Sequence, residues 1–242
     1  LEVISKNFKE LLNDSSKFKE SEKRIEIIMS ILSNYTPECI VESSVECKIN
    51  DLSDIDGITS KEFALKFKNA FDIANIDISR AVTHNKGIMN GIDAVLISTG
   101  NDFRAVEAGI HAFASSKGKY KSLSECTIID NIFKIKLKIP LSIGTIGGIT
   151  DIHPMVKLSL KLLENPTSDK LMNIICSVGL AQNFAAVKSL VTSGIQKGHM
   201  KMHLINLLIK QNATKDQINK AEAYFKDRDI NSQSVKDFLD LN

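Results

Sequence analysis

The 242-residue sequence is poor in proline, with 4, and holds only 12 glycines and no long polar tract. That excludes a disordered or collagen-like chain. It lacks an excess of either charge: 31 Lys and Arg face 29 Asp and Glu, a formal net charge of +2. Such a balance gives no electrostatic reason to bind nucleic acid or an acidic membrane. No run of about 18 apolar residues is present to span a bilayer, so no membrane association is expected. Cys39, Cys47, Cys126 and Cys176 are scattered without a CxxC spacing, which suggests neither a zinc ribbon nor a disulfide framework. The cytoplasm is the default location. Leu1 leads directly into helix-like sequence, with no basic and apolar leader pattern. We read the chain as a piece of a longer polypeptide.

What is present is an ordinary globular composition, 43% hydrophobic and 25% charged, long enough for one to two domains and a sizeable core. Glycine marks the organisation. One glycine precedes position 87, eleven fall from Gly87 to Gly198, and none follows. Leu1, Ile4, Phe8, Leu11 and Leu12 have helical spacing, and the Ile- and Met-rich run from Arg24 to Leu32 reads as a strand. A second strand is expected from Cys39 to Ile49. Thr59 with Glu62 reads as a capping box opening a helix that carries Phe63, Phe67, Phe71 and Ala74 on one face. Asp93 to Ser98 reads as a short strand, followed by a turn and a helix from Arg104 to Ser116 capped by Asn101 or Asp102. Phe133, Ile135, Leu137 and Ile139 alternate with Lys134, Lys136 and Lys138, the clearest strand, with a hairpin turn at Asp130 and Asn131. Helices follow near Met155 to Leu163 and from Ser168 to Val191, the latter interrupted at Gly179 and stopped by Gly194. Beyond His199 the pattern is helical and charged, with a second capping box at Thr214 and Gln217 and an amphipathic end from Asp237 to Leu241.

The densest constellation of reactive side chains runs from Arg80 through Thr83, His84, Asn85, Lys86, Gly87 and Asn90 to Gly91. It reads as a loop, too irregular for a packed helix face, whose glycines let the backbone approach a ligand while Lys and Arg supply charge. The alternative is a polar surface loop with an Asn-Gly turn. The GTIGG segment from Gly144 to Gly148 lacks both the P-loop lysine and the dinucleotide GxGxxG pattern, and suggests a tight turn. His199 and His203 stand four apart on a helix, yet no Glu follows the first and no third ligand appears, so no metal site is expected. One functional imidazole, His199 in a loop at a helix start, fits better. His84, His111 and His153 have no informative spacing. The Lys134, Lys136 and Lys138 stripe reads as a solvated strand face.

Five segments in order carry a family resemblance: THNKGIMNGIDA from Thr83 to Ala94, TGNDFRAVEAG from Thr99 to Gly109, PLSIGTIGG from Pro140 to Gly148, VGLAQN from Val178 to Asn183, and GIQKGHM from Gly194 to Met200. Spread over some 120 residues, they resemble class II 3-hydroxy-3-methylglutaryl-CoA (HMG-CoA) reductase. The resemblance continues more weakly through both flanks. It implies an α+β fold: residues 1–36 as the end of a small ferredoxin-like cofactor domain, 37–197 as a large mixed helix and sheet substrate domain, and 198–242 as a helical flap.

The resemblance also implies a chemistry, the two-hydride reduction of the HMG-CoA thioester by NADH or NADPH to mevalonate and CoA, or its reverse, in the mevalonate pathway. Lys86 matches the lysine that stabilises the oxyanion, Asp102 the aspartate that holds that lysine, and His199 the histidine that protonates the departing thiolate. Arg80 and Asn90 match contacts to the hydroxymethylglutaryl group, and Asn34 and Asn183 match positions near the cofactor or the active-site network. A homodimer or higher oligomer with the active site at the subunit interface is implied. The family's catalytic glutamate and cofactor loop have no match here and would lie in an N-terminal half, in the same or another chain. That gap motivates an alternative, a non-catalytic CoA-binding or assembly subunit. The reductase reading further predicts that Lys86 and Asp102 lie within ion-pair reach.

Overall fold

Helix-capping residues set most boundaries in the computed structural model of this chain. The structure describes all residues except Arg24, Ser53, Ile55, Asp56, Ser193, Gly194, Lys226, Asp227 and Asn242, with 195–201 and Glu222 described by backbone alone. The elements are α1 (Glu2–Asp14), β1 (Ile40–Lys48), α2 (Ser60–Ile76), α3 (Ile78–Ser98), α4 (Phe103–Ala114), β2 (Ser124–Ile129), β3 (Ile132–Pro140), α5 (Pro154–Leu162), α6 (Ser168–Val191), α7 (Ile195–Lys210), α8 (Lys215–Tyr224) and α9 (Ser232–Asp240). Thr59, Asp77, Asp102 and Thr167 each accept a backbone N–H from the first turn of the helix that follows, which satisfies donors that a helix start leaves open. Thr214 and Gln217 form the reciprocal capping box at α8. This is an α+β architecture.

The three strands form an antiparallel sheet in the order β1-β3-β2. Asp130 and Asn131 both take positive φ, 51° and 62°, the left-handed pair that a two-residue hairpin requires. The alternation along β3 is realised: Phe133, Ile135, Leu137 and Ile139 are buried. On the other face Lys134 pairs with Glu46 at 2.8 Å and Lys136 with Glu42 at 2.9 Å. Under the sheet Phe63, Phe67 and Phe71 of α2 form a row, with ring centroids 5.5 and 5.1 Å apart, and Phe67 meets Phe133 edge-on at 5.4 Å.

α6 packs against α2, α3, β1 and β3. By length and hydropathy alone α6 would pass as a membrane span, contrary to the sequence expectation, but its stripe from Leu171 through Ile175, Gly179 and Asn183 to Val187 is buried in this core. One hydrophobic cluster covers positions 41 to 191. A second, built from Leu204, Leu208, Ala221, Phe225, Val235 and Phe238, belongs to α7, α8 and α9.

Four expectations need correction. Asp93 to Ser98 is not a strand but the last turns of α3, and the Arg80 to Gly91 stretch is regular helix within it. α6 runs through Gly179 without interruption. The described part of the 24–32 run forms no strand; Ile28, Met29, Ile31 and Leu32 are each more than 70% exposed. A strand exists only through a partner's hydrogen bonds, and no segment among the described residues supplies one there.

Candidate functional site

The site is built on the crossing of α3 and α6. Gly87 and Gly91 lie one turn apart on α3 and face α6, where Ala186, Gln182 and Val178 form a row at four-residue spacing. A Cβ added at Gly91 would sit 2.9 Å from the Gln182 Cβ and 3.0 Å from the Val178 carbonyl oxygen, and one at Gly87 would sit 3.5 Å from the Ala186 Cβ. From the α6 side, a Cβ at Gly179 would come within 2.9 Å of Ile92. These glycines therefore bring two helices together and do not admit a ligand to the backbone, the role that the sequence suggested. Small residues in register let helix axes approach closely, and any added carbon overpacks the seam.

The inward face of α3 is polar at one level. His84 and Asn85 are 2% and 0% exposed. Asn85 donates through Nδ2 to the Lys121 carbonyl at 2.9 Å and accepts the Leu123 N–H through Oδ1 at 3.0 Å, clamping the entry to β2. His84 Nε2 lies 2.7 Å from Ser124 Oγ and 3.2 Å from Asn183 Nδ2, and Ser124 Oγ donates to Asn183 Oδ1 at 2.9 Å. Burial foremost, with the Arg80 charge second, lowers the His84 pKa to about 3, so the imidazole is neutral. No spacing in the sequence marks His84 or Asn85 as anchors, because their partners lie 36 to 99 positions away.

The opposite face of α3 carries two of the predicted substrate groups. Lys86 and Asn90 are exposed and four residues apart, so they stand one above the other. Arg80 is half-buried, and burial lowers the pKa of its guanidinium. Among the described residues neither Lys86 nor Arg80 forms an ion pair. Gln182 is exposed at the seam, its Cβ against Gly91 beside Asn90.

Asp102 lies at the far end of α3. Its Oδ1 caps α4, accepting the N–H groups of Arg104 at 3.1 Å and Ala105 at 3.2 Å, with Arg104 Nε at 3.7 Å. From Lys86 to Ser98 the helix rises about 18 Å at 1.5 Å per residue, and no ion pair joins Lys86 to Asp102 within the chain. The expected intrachain contact is absent. Asn101 accepts the Gly144 N–H at 2.9 Å and Gly100 abuts Ile149, which brings the TGND and GTIGG segments together. In the latter, Gly147 and Gly148 take positive φ, as a tight turn needs.

His199 lies on the backbone of α7, which begins at Ile195. It is thus within a helix and not in a loop at its start, and its side chain lies outside the described residues, as does Gly194. Asn183 is fully buried and its amide is engaged by Ser124 and His84, so it faces no open site. Asn34 is exposed and, with Ser33, Thr36, Gly109 and Ser142, lines a cavity of about 330 Å³. This volume is at the lower end for a drug-sized ligand, and among the described residues no cation lines it. No cluster of three or more His, Cys, Asp or Glu suited to a metal occurs among the described residues.

Asp93, also unremarked in the sequence, lies between α3 and α4. Burial first and Glu107 second raise its carboxyl pKa to about 6. Its Oδ1 is buried without a hydrogen-bond partner among the described residues. Beyond Glu107, His111 Nδ1 lies 2.7 Å from Tyr120 Oη.

The fold, an α+β chain with a glycine-lined helix crossing and a cationic outer face, has known counterparts. The family described as hydroxymethylglutaryl-coenzyme A reductase matches residues 4–204. The chain belongs to this family. It is 43% identical over 190 residues to the 3-hydroxy-3-methylglutaryl-coenzyme A reductase of Archaeoglobus fulgidus, a match covering 77% of this chain and 43% of that protein. It is 38% identical over 201 residues to a probable reductase of Borreliella burgdorferi, covering 75% of this chain and 47% of the relative. Among solved structures, a class II reductase from Streptococcus pneumoniae bound to NADPH in open conformations superposes with a TM-score of 0.65 at 41% identity, covering 88% of this chain and 52% of that one. A second structure from the same organism gives a TM-score of 0.66, also at 41% identity, with 88% and 51% covered. The chain spans about half the length of the relatives it matches.

Proposed function

We propose that this chain supplies the substrate side of an HMG-CoA reductase, an oxidoreductase that converts the thioester to mevalonate and CoA or runs the reverse reaction. The observation that carries the reading is on α3, where Lys86 and Asn90 share the outer face, Arg80 stands one turn before His84 at its flank, and neither cation forms an ion pair among the described residues. Arg80 offers the planar fork that suits the glutaryl carboxylate, strengthened by its half-buried setting. Lys86 offers a cation for the oxyanion that forms at the thioester carbonyl. His199 would protonate the departing thiolate. A nicotinamide cofactor, as bound by the Streptococcus pneumoniae relative, supplies hydride; its site is completed by residues beyond those described in this chain.

Asp102 joins the site only from another copy. α3 rises about 18 Å from Lys86 to Ser98 before the turn that leads to Asp102, and no ion pair joins the two side chains. We therefore place the active site at a homodimer interface, with Lys86 from one copy and Asp102 from the other. The stretch 1–36, with its exposed apolar side chains, belongs in this reading to the cofactor domain, and α7 to α9, with their own core, to the flap.

The test is HMG-CoA-dependent NADPH oxidation by this chain combined with the half of a class II reductase that it does not span. Lys86→Ala should reduce turnover by about two to three orders of magnitude, the loss typical of removing one oxyanion donor. Lys86→Ala and Asp102→Ala proteins, each inactive, should regain activity when mixed and refolded together. Mixing that restores nothing rejects the shared site, and unchanged turnover in Lys86→Ala rejects the reductase role of this face. His199→Gln should impair thioester reduction while sparing mevaldehyde, which has no thiolate to protonate.

A further inference from the structure

His84 is buried, bonded on one ring nitrogen and bare on the other, and no role in the reductase reading uses it. Its surroundings fix where its proton sits. Ser124 Oγ has one hydrogen, and the 2.9 Å contact to Asn183 Oδ1 needs it there, because a carbonyl oxygen can only accept. Ser124 Oγ is then an acceptor towards His84, and the 2.7 Å contact is a bond donated by Nε2–H. The remaining nitrogen, Nδ1, carries a lone pair and has no hydrogen-bond partner among the described residues. Arg80, one turn earlier on the same helix, places a positive charge near the ring. The 3.2 Å contact of Asn183 Nδ2 with Nε2 then joins two donors and adds no hydrogen bond. The other tautomer would make it one, but would bury an N–H at Nδ1 without an acceptor and leave one of the two shorter Ser124 Oγ contacts, 2.7 or 2.9 Å, without a proton.

The network spans three elements. His84 belongs to α3, Ser124 starts β2, and Asn183 belongs to α6. A hydrogen-bonded ring at one level of a helix does what the glycine seam alone cannot: the seam sets how close α3 and α6 lie, and the polar ring sets the rotation of α3 about its own axis. Rotation decides where the outer face points. A turn of 3.6 residues puts His84 and Lys86 about 200° apart around the helix, so fixing the inner side chain aims the outer one.

We propose that His84, held as the Nε2–H tautomer by Ser124, whose own hydroxyl is fixed on Asn183 Oδ1, is a positioning residue that aims Arg80, Lys86 and Asn90 towards the substrate. The proposal rests on the reductase reading for the identity of that substrate and on the hydrogen-bond geometry for the mechanism of aiming. It assigns Asn183 to orientation of the substrate face and not to the cofactor.

Two side chains separate aiming from mere packing. The amide nitrogen of Gln can take the place of Nε2–H and donate to Ser124, and the shorter Asn reaches only the level of Nδ1. His84→Gln should therefore preserve the network and His84→Asn should break it, although both remove the ring from the core. On the full chain labelled with nitrogen-15, the His84 imidazole should show a proton on Nε2 and no titration between pH 5 and pH 8, the range over which an ordinary histidine changes charge. A proton on Nδ1, or titration in that range, overturns the proposal. The backbone amide signals of residues 80 to 90 should shift in His84→Asn and stay close to wild type in His84→Gln; equal shifts in both overturn it.

Binding of 3-hydroxy-3-methylglutarate, measured by calorimetry well below the melting temperature of each protein, gives the functional arm. Affinity should drop about tenfold in His84→Asn, or about 1.4 kcal/mol, and less than about threefold in His84→Gln. Equal losses in both variants overturn the aiming role. If the wild-type chain itself fails to bind the dicarboxylate, the substrate assignment of Arg80 fails, while the tautomer and amide measurements still decide the proposal for His84.

Discussion

The centre of the molecule and its first 36 residues are both rich in large apolar side chains, and they end in opposite states. In the centre Phe63, Phe67, Phe71, Ile92 and Leu137 have no exposed surface. At the start, α1 buries none of its residues, and Ile28, Met29 and Ile31 stand 71 to 75% exposed. Composition does not separate the two. Partners do: α2, α3, α6 and the sheet close on one another, whereas the 25–32 stretch only runs beside α1, with Ser30 donating to Ser5 at 2.9 Å. Hydrophobic pattern fixes which face of a segment seeks burial; it is silent on what buries it.

The contrast can be tested by substitution, and the largest effect belongs to the centre. Phe67→Ala removes a ring that touches Phe63, Phe71, Phe133 and Phe184. It should cost about 3–5 kcal/mol in urea unfolding. Gly91→Ala adds one carbon that would sit only 2.9 Å from the Gln182 Cβ. The expected loss is about 1–3 kcal/mol, seen as a lower midpoint with an unchanged slope. A gain in stability would show that the α3 and α6 contact is loose and that the centre is packed no better than the start.

Asp93 gives a smaller, pH-dependent effect. Its folded pKa is raised to about 6 from 3.8, so the fold penalises the ionised form. The penalty is present above pH 6 and is relieved as the pH falls through 6 towards 4. Asp93→Asn should stabilise the chain at pH 7.5 by about 1 kcal/mol, less than the full linkage value because solvent screens the partly exposed group. The difference from wild type should vanish near pH 4, as followed by thermal melting; a constant difference across that range would assign it to something other than the proton.

Ile28→Ser with Met29→Ser should give the smallest effect, within about 0.5 kcal/mol. It should also reduce self-association measured by sedimentation. A loss as large as that of Gly91→Ala would mean that the first 36 residues are held as firmly as the core.

These differences also explain what the sequence disclosed. The Phe row of α2, the hairpin at Asp130 and Asn131, and the caps at Thr59, Asp102 and Thr214 were legible because each signal and its partner lie within a few residues. α3 was not. Its polar and glycine residues look like a loop until their partners are known, and those are Ser124, Gln182 and Asn183, some 40 to 99 positions away. The site followed the same rule. Arg80, Lys86, Asn90 and Asp102 could be named singly from their motifs, whereas the length of helix between Lys86 and Asp102 appears only once the run from Ile78 to Ser98 is known to be continuous. The burial of Asn183 was not legible because a motif match does not say whether an amide faces inward or outward.

Asn90 followed by Gly91 is a dipeptide that in a flexible chain cyclises readily, the side-chain carbonyl being attacked by the next backbone nitrogen. In α3 that nitrogen belongs to Gly91 and is directed along the helix towards the Gly87 carbonyl, and the helical backbone holds it away from the Asn90 side chain. The sequence thus carries a chemical clock that the fold keeps stopped. Isoaspartate should accumulate at position 90 only as fast as this part of α3 opens, so its yield during storage records the local stability of the helix that presents the substrate groups.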